Sequence, residues 1–136
     1  MDFEKLIKKR NDEDGFSQFI GIETTKLEEG IAEAEIKIKP EHYNSQGILH
    51  GGLLFSLADA VGGSAARTYG YDVVTVNANI EYVEGGANVE TLYGSAKVIK
   101  HGNKISRYKV ELYDQLRHLL AVGTFTYYSR GSKLSI

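Results

Sequence analysis

Residues 51–68, GGLLFSLADAVGGSAART, constrain the fold more than any other stretch of the chain. They hold no proline and many good helix formers, and Gly70 follows as a stop, so the pattern predicts one long helix. That helix is apolar nearly all round and must be enclosed by other elements rather than lie on a surface. What surrounds it in the sequence reads as strand. IAEAEIKIK, residues 31–39, alternates strictly, with Ala32, Ala34, Ile36 and Ile38 on one face and Glu33, Glu35, Lys37 and Lys39 on the other. The preceding GIETTKLEEG is its hairpin partner, turning at Glu28-Glu29-Gly30, and Pro40 closes the second strand.

After the helix, residues 73–83 place Val74, Val76, Ala78, Ile80 and Tyr82 on one face and Thr75, Asn77, Asn79 and Glu81 on the other. The polar row is expected to be the solvent side of a half-exposed strand or part of a site. VETLYGSAKVIK and KISRYKVELYD flank a tight turn at His101-Gly102-Asn103, with Gly102 expected to supply positive φ, and LLAVGTFTYYS at 119–129 closes the sheet. Residues 2–10 read as a short amphipathic helix with Phe3, Leu6 and Ile7 on one side, and Gly15–Gly21 adds a further turn, so 1–20 form a helical N-terminal segment. The fold class that satisfies this order is α+β: a curled antiparallel sheet of about five to six strands wrapped around one long central helix. The length of 136 residues fits a single domain over 1–136.

The formal net charge of −2 offers no global attraction to nucleic acid or to an acidic membrane, so neither is expected as a partner. With no cysteine, a disulfide scaffold, a thiolate nucleophile and a cysteine-bearing zinc site are excluded. The four histidines are not at metal-ligand spacing, and neither a phosphate loop nor a dinucleotide fingerprint occurs. No apolar run has signal-peptide or membrane-spanning length, which makes a cytoplasmic location the expectation.

One residue in the central helix is out of place. Asp59 is a lone carboxylate among Leu, Ala, Gly and Val, and an ionised carboxylate is among the costliest groups to bury. It is a hydrogen-bonded structural group, a solvent-facing group, or a functional one. Its same-face neighbours are Phe55, Ser56, Gly62 and Gly63, whereas Leu53, Leu57, Ala60 and Val61 fall in the sector suited to packing on the sheet. Two glycines inside a helix cost stability, so something should gain from close approach there. Upstream, HYNSQGILHGG at 42–52 runs into the helix N-terminus, where free N–H groups and the helix dipole favour negative charge. Gly51 and Gly52 let a ligand approach the backbone, and a developing oxyanion would be stabilised there, with Asn44 able to add an amide donor. The bland alternative is an ordinary helix entry, with Asn44 in a turn and His50 packed on the sheet.

If Gly51 receives an oxyanion and Asp59 attacks, the eight residues between them correspond to ~12 Å along one helix. Reacting groups must meet within about 3–3.5 Å. One helix cannot achieve that, but two antiparallel copies can, and a two-fold dimer would make two such composite sites.

The run N-x-x-G-x-x-H-G-G-x-x-x-x-L-A-D, Asn44 through Asp59, resembles the signature of hotdog-fold acyl-CoA thioesterases, in particular the phenylacetic-acid-degradation (PaaI-like) branch. The later TVNANIEYV resembles that family's third strand, and the likeness covers roughly residues 15–130. The resemblance implies a homodimer or a dimer of dimers and the hydrolysis of acyl-CoA thioesters with no metal and no other cofactor. By position it makes Gly51 the N–H that polarises the thioester carbonyl, Asn44 and His50 the supports of that pocket, Asp59 the base or nucleophile, and Thr75 the hydroxyl that helps hold the water. Gly52, Phe55 and Tyr82 are the candidate substrate contacts, although Phe55, Tyr69 and Tyr82 are equally explained by core packing. Where the family commonly has a proline turn, this chain has EGGAN at 84–88. Lys97, Lys100, Lys104, Arg107, Arg130 and Lys133 are candidate coenzyme phosphate contacts by charge alone, with solvated surface as the alternative. The other readings are a hotdog hydratase or dehydratase, with His50 and Asp59 as an acid–base pair, and a non-catalytic acyl-CoA-binding module.

Overall fold

In the computed structural model, which describes residues 1–136, helix α3 (Gly51–Arg67) is embraced by a six-stranded antiparallel sheet. The strands are β1 (Ile22–Glu28), β2 (Ile31–Lys37), β3 (Tyr71–Tyr82), β4 (Thr91–His101), β5 (Ile105–Tyr113) and β6 (Leu119–Lys133), in the order β1-β2-β4-β5-β6-β3. The helix packs on all six, so nearly its whole circumference is covered, as its apolar composition demands. Leu53, Leu57 and Val61 are buried against the sheet, together with Ala58 and Ala65. Ala60 departs from the expected sector. It is only half-buried, and its carbonyl faces the N-terminal segment, 3.5 Å from Arg10 Nη2.

Two short helices, α1 (Phe3–Glu13) and α2 (Gly15–Ile20), lie outside this wrap, and each begins on an aspartate cap. Helix α1 buries Leu6 completely, with Phe3 and Ile7 beside it. It docks on the edge strand β1 through Asn11, whose side chain receives the Thr24 N–H at 2.7 Å and donates to the Thr24 carbonyl at 3.0 Å. One sheet edge is thereby covered. The other edge is β3, twelve residues long, with β6 on one side and no strand on the other.

The burial of β2 alternates as its sequence predicts, although the strand ends at Lys37 and Pro40 opens a short 3₁₀ turn rather than simply closing it. Strand β3 differs more. Its pairing with β6 shifts between Thr75 and Asn77, which marks a bulge. Strict alternation across a bulge inverts the faces. Ala78, Ile80 and Tyr82 look inward and Asn77, Asn79 and Glu81 outward, but Thr75 shares the inner face with Val73, and Val74 is turned out. At the β4–β5 turn Gly102 does not have positive φ; it is needed because a Cβ there would lie 2.5 Å from the Ile105 carbonyl oxygen.

Leu57 sits at the centre of the core, fully buried beneath β4 where Gly94 comes within contact of its side chain. Leu57→Ala is expected to cost about 2–5 kcal/mol of folding stability, measured as a lowered denaturant midpoint at unchanged slope.

Candidate active site

The loop before α3 is built around its own polar groups. Asn44 Oδ1 accepts from the backbone N–H of Gln46 (2.9 Å) and Ile48 (3.3 Å), which folds 44–48 into a compact turn and leaves the Asn44 NH₂ without a partner in the chain. Leu49 is held from below by the EGGAN loop, its N–H donating to the Gly86 carbonyl at 2.9 Å. His50 then caps the helix. It is exposed rather than packed on the sheet, and its Nδ1 accepts from the Gly52 N–H at 2.8 Å. Gly52 is required for that cap, since a Cβ there would come within 2.9 Å of His50 Nδ1. Gly52→Ala is therefore expected to lose the cap, worth about 1 kcal/mol, with part of that offset by alanine's better helix propensity, so the thermal midpoint changes little while Gly52 N–H is freed.

The cap has a chemical consequence. Of the first four N–H groups of α3, Gly52 is taken by His50 Nδ1, and Leu53 and Leu54 both donate to the His50 carbonyl. Gly51 N–H alone has no acceptor in the chain, and it stands at the positive end of the helix dipole. Tyr82, from the far end of β3, packs over it and donates its hydroxyl to the Gly51 carbonyl at 3.0 Å.

Two turns further along, Asp59 is half-buried at the floor of an open cleft of about 450 Å³. Thr75 Oγ1 donates to Asp59 Oδ1 at 2.6 Å, which the β3 bulge makes possible by turning Thr75 inward. Phe55 lines the same cleft and leans on Phe125, with ring centroids 5.3 Å apart. The structure thus divides the candidates into two groups on one helix. Gly51, Gly52, His50, Asn44 and Tyr82 cluster at the N-terminus, and Asp59, Thr75 and Phe55 at its middle.

Several residues around Asp59 were not singled out by the sequence pattern. Tyr127 of β6 reaches under the helix, and its hydroxyl is 2.8 Å from the Asp59 carbonyl oxygen and 3.2 Å from Oδ1. Arg10 of α1 donates from Nε to Ser64 Oγ at 2.9 Å, and Arg67 of α3 to the carbonyls of Gly63 and Val73. Burial and the neighbouring charge of Arg67 push Arg10 down to about 10, so it stays cationic at neutral pH. Burial works against ionisation of Asp14, but the Ser17 N–H and hydroxyl, then Arg10, hold its carboxyl below the usual range. The only signals for these residues lay in Gly62-Gly63 and Ser64, small side chains that admit Tyr127 and receive Arg10. The six candidate phosphate contacts are not here. Lys104 and Lys133 flank a separate cleft near the C-terminal end of α3, Arg107 lies on the outer sheet face, and Lys97, Lys100 and Arg130 are exposed.

A long helix wrapped by a six-stranded antiparallel sheet, entered through a glycine pair, is the hotdog fold. The thioesterase superfamily model matches residues 46–121, and the chain belongs to that family of thioester hydrolases. Among its relatives is the acyl-coenzyme A thioesterase PaaI of Escherichia coli K12, 28% identical over 80% of this chain and 78% of its own. The solved structure of the E. coli PaaI protein superposes with a TM-score of 0.87 at 25% identity, covering 96% of this chain and 99% of that one. A hypothetical thioesterase protein of Streptococcus pneumoniae TIGR4, solved with coenzyme A, gives 0.81 at 26% identity over 88% and 94% of the two chains. The smu.793 protein of Streptococcus mutans UA159, bound to acetyl-CoA, gives 0.80 at 26% identity over 85% and 94%. No helix of the chain is long and apolar enough to cross a membrane.

Proposed function

We propose that the protein hydrolyses an acyl- or arylacetyl-CoA thioester to the free acid and coenzyme A, at composite sites formed by two protomers. The observation that carries this reading is the single free N–H of Gly51 at a helix N-terminus, combined with a hydrogen-bonded carboxylate eight residues further along the same helix. Relatives solved with coenzyme A and acetyl-CoA support the substrate class.

In this mechanism Gly51 N–H binds the thioester oxygen and stabilises the oxyanion that develops on it. Asn44, through its Oδ1 on the 46–48 backbone, and the His50 cap keep that end of the pocket in place, while Phe55, Tyr82 and the bare backbone at Gly52 border the acyl group. Asp59 takes a proton from a water held beside Thr75 as the water oxygen bonds to the carbonyl carbon. When the carbon–sulfur bond breaks, that proton passes to the departing thiolate. Direct attack by Asp59 through an acyl-aspartyl anhydride is the competing route. In a single turnover in ¹⁸O-water, label in Asp59 assigns the anhydride route with water opening it at the aspartyl carbonyl, and trapping of an acyl group on the protein detects an anhydride opened at the acyl carbonyl instead.

The two halves lie ~12 Å apart along one α3, too far to act on one carbonyl. The unpaired edge of β3 supports the dimer that would unite them. Thr75 marks Asp59 on this strand and Tyr82 marks Gly51. Antiparallel pairing of two β3 edges about a two-fold between Ala78 and Asn79 sets Thr75 of one protomer opposite Tyr82 of the other, which brings the complementary halves together. Further assembly into a tetramer is compatible with this arrangement.

Free thiol measured over a panel of aryl, short, medium and long acyl-CoAs tests the function. Hydration of an enoyl-CoA without thiol release would instead assign a hydratase, and saturable binding without either product a binding module.

A further inference from the structure

We propose that Tyr127 is a positioning residue for Asp59 and that, with Thr75, it selects Oδ2 as the oxygen that does the chemistry. This rests on the role given to Asp59 above. An ionised carboxylate presents two oxygens of equal intrinsic basicity, and nothing in the side chain itself prefers one. Here the surroundings do. Thr75 Oγ1 donates to Oδ1 at 2.6 Å, and the one hydroxyl proton of Tyr127 is shared between the Asp59 carbonyl oxygen at 2.8 Å and Oδ1 at 3.2 Å. Oδ2 receives no hydrogen bond from the chain. Donors on one oxygen occupy its lone pairs and stop the carboxylate plane from turning, so the other oxygen is the one left open and keeps a constant direction.

The helix is shaped for this contact. A Cβ at Gly62 would lie 2.4 Å from Tyr127 Oη and 3.1 Å from Cζ, so only glycine lets the phenol pass beneath α3. Tyr127 is 1% exposed and pairs with Thr75 across β3 and β6, which places both donors in one row of the sheet. Burial and the charge of Asp59 hold the Tyr127 hydroxyl far above its ordinary range, while Arg67 and Arg10 pull weakly the other way. It therefore remains a protonated donor at neutral pH.

The test is steady-state kinetics on the full chain with the acyl-CoA it turns over fastest, comparing Tyr127→Phe, Gly62→Ala, the double variant and Asp59→Asn. Tyr127→Phe keeps the ring and removes only the donor. Its kcat is expected to fall by roughly ten- to a hundredfold with KM within about twofold, the size of effect a misplaced catalytic group produces. Gly62→Ala, by pushing the phenol aside, is expected to lower kcat similarly, and to add much less when Tyr127 is already Phe. Thermal midpoints confirm that each variant is folded, and should Gly62→Ala fail to fold, Tyr127→Phe alone decides. Wild-type kcat in Tyr127→Phe, alongside an inactive Asp59→Asn, overturns the positioning role and leaves the function standing. A rise in KM equal to the fall in kcat also overturns it. Full turnover in Asp59→Asn overturns both.

Discussion

Asp59→Asn is expected to lower thiol release from acyl-CoA by roughly a hundred- to ten-thousandfold in kcat, the range a general base contributes, with little change in KM. The reason lies in the balance of interactions at the carboxylate. Asparagine is nearly isosteric, and its Oδ1 can still accept from Thr75 and Tyr127, so the contacts that hold the side chain survive. What disappears is the charge and basicity of the second oxygen. Because Asp59 is half-buried, removing its charge lowers a desolvation cost while also removing its attraction to Arg10, and the two offset, so the variant is expected to fold with a stability close to the parent's. A lower kcat at an undiminished thermal midpoint would separate chemistry from architecture. Unchanged thiol release would show Asp59 to be a structural carboxylate held by Thr75 and Tyr127.

Gly51→Pro mixed with Asp59→Asn tests the shared site directly. Gly51 is the first residue of α3, where proline is well tolerated, and His50 before it is already extended (φ −61°, ψ 132°), as a residue preceding proline must be. The substitution therefore deletes the one free N–H of the first turn at small cost to the helix. Alone it is expected to reduce kcat by roughly a hundred- to a thousandfold, the loss that follows removal of one oxyanion donor. Two inactive chains should then complement each other. In a heterodimer the native Gly51 of one protomer faces the native Asp59 of the other at one of the two sites. With equal amounts of each chain half the dimers are mixed, so activity is expected to return to about a quarter of the parent after co-refolding. No recovery at a confirmed mixed-dimer population would place both groups within one protomer.

Much of this was legible from residue order. The apolar circumference of 51–68 required enclosure, and the two periodicities around it left a curled antiparallel sheet as the only economical wrapper. The half-buried alternation of β2 and the amphipathic face of α1 appear in the structure where the pattern put them. Strand β3 shows the limit. A period of two carries faithfully along a strand only while the pairing is regular, and the bulge after Thr75 is a property of two strands together. Read alone, the segment aligns Thr75 with Asn77 and Asn79; folded, it turns Thr75 to Asp59 and leaves the asparagines outside.

The same division holds at the site. The helix entry, the glycine pair and the odd carboxylate are neighbours in the chain, and local rules of capping, dipole and burial cost were enough to mark them and to show that one helix separates them by ~12 Å. Arg10, Thr75 and Tyr127 come from a helix and two strands distant in sequence, and nothing local ties them to Asp59. Gly62 announced that something must come close; only packing could say that it was the phenol of residue 127. Sequence determined which groups the chain carries and which local geometry each can adopt. The tertiary structure decided which oxygen of Asp59 is held and which is left free, because hydrogen bonds between distant elements exist only once the sheet has closed around the helix.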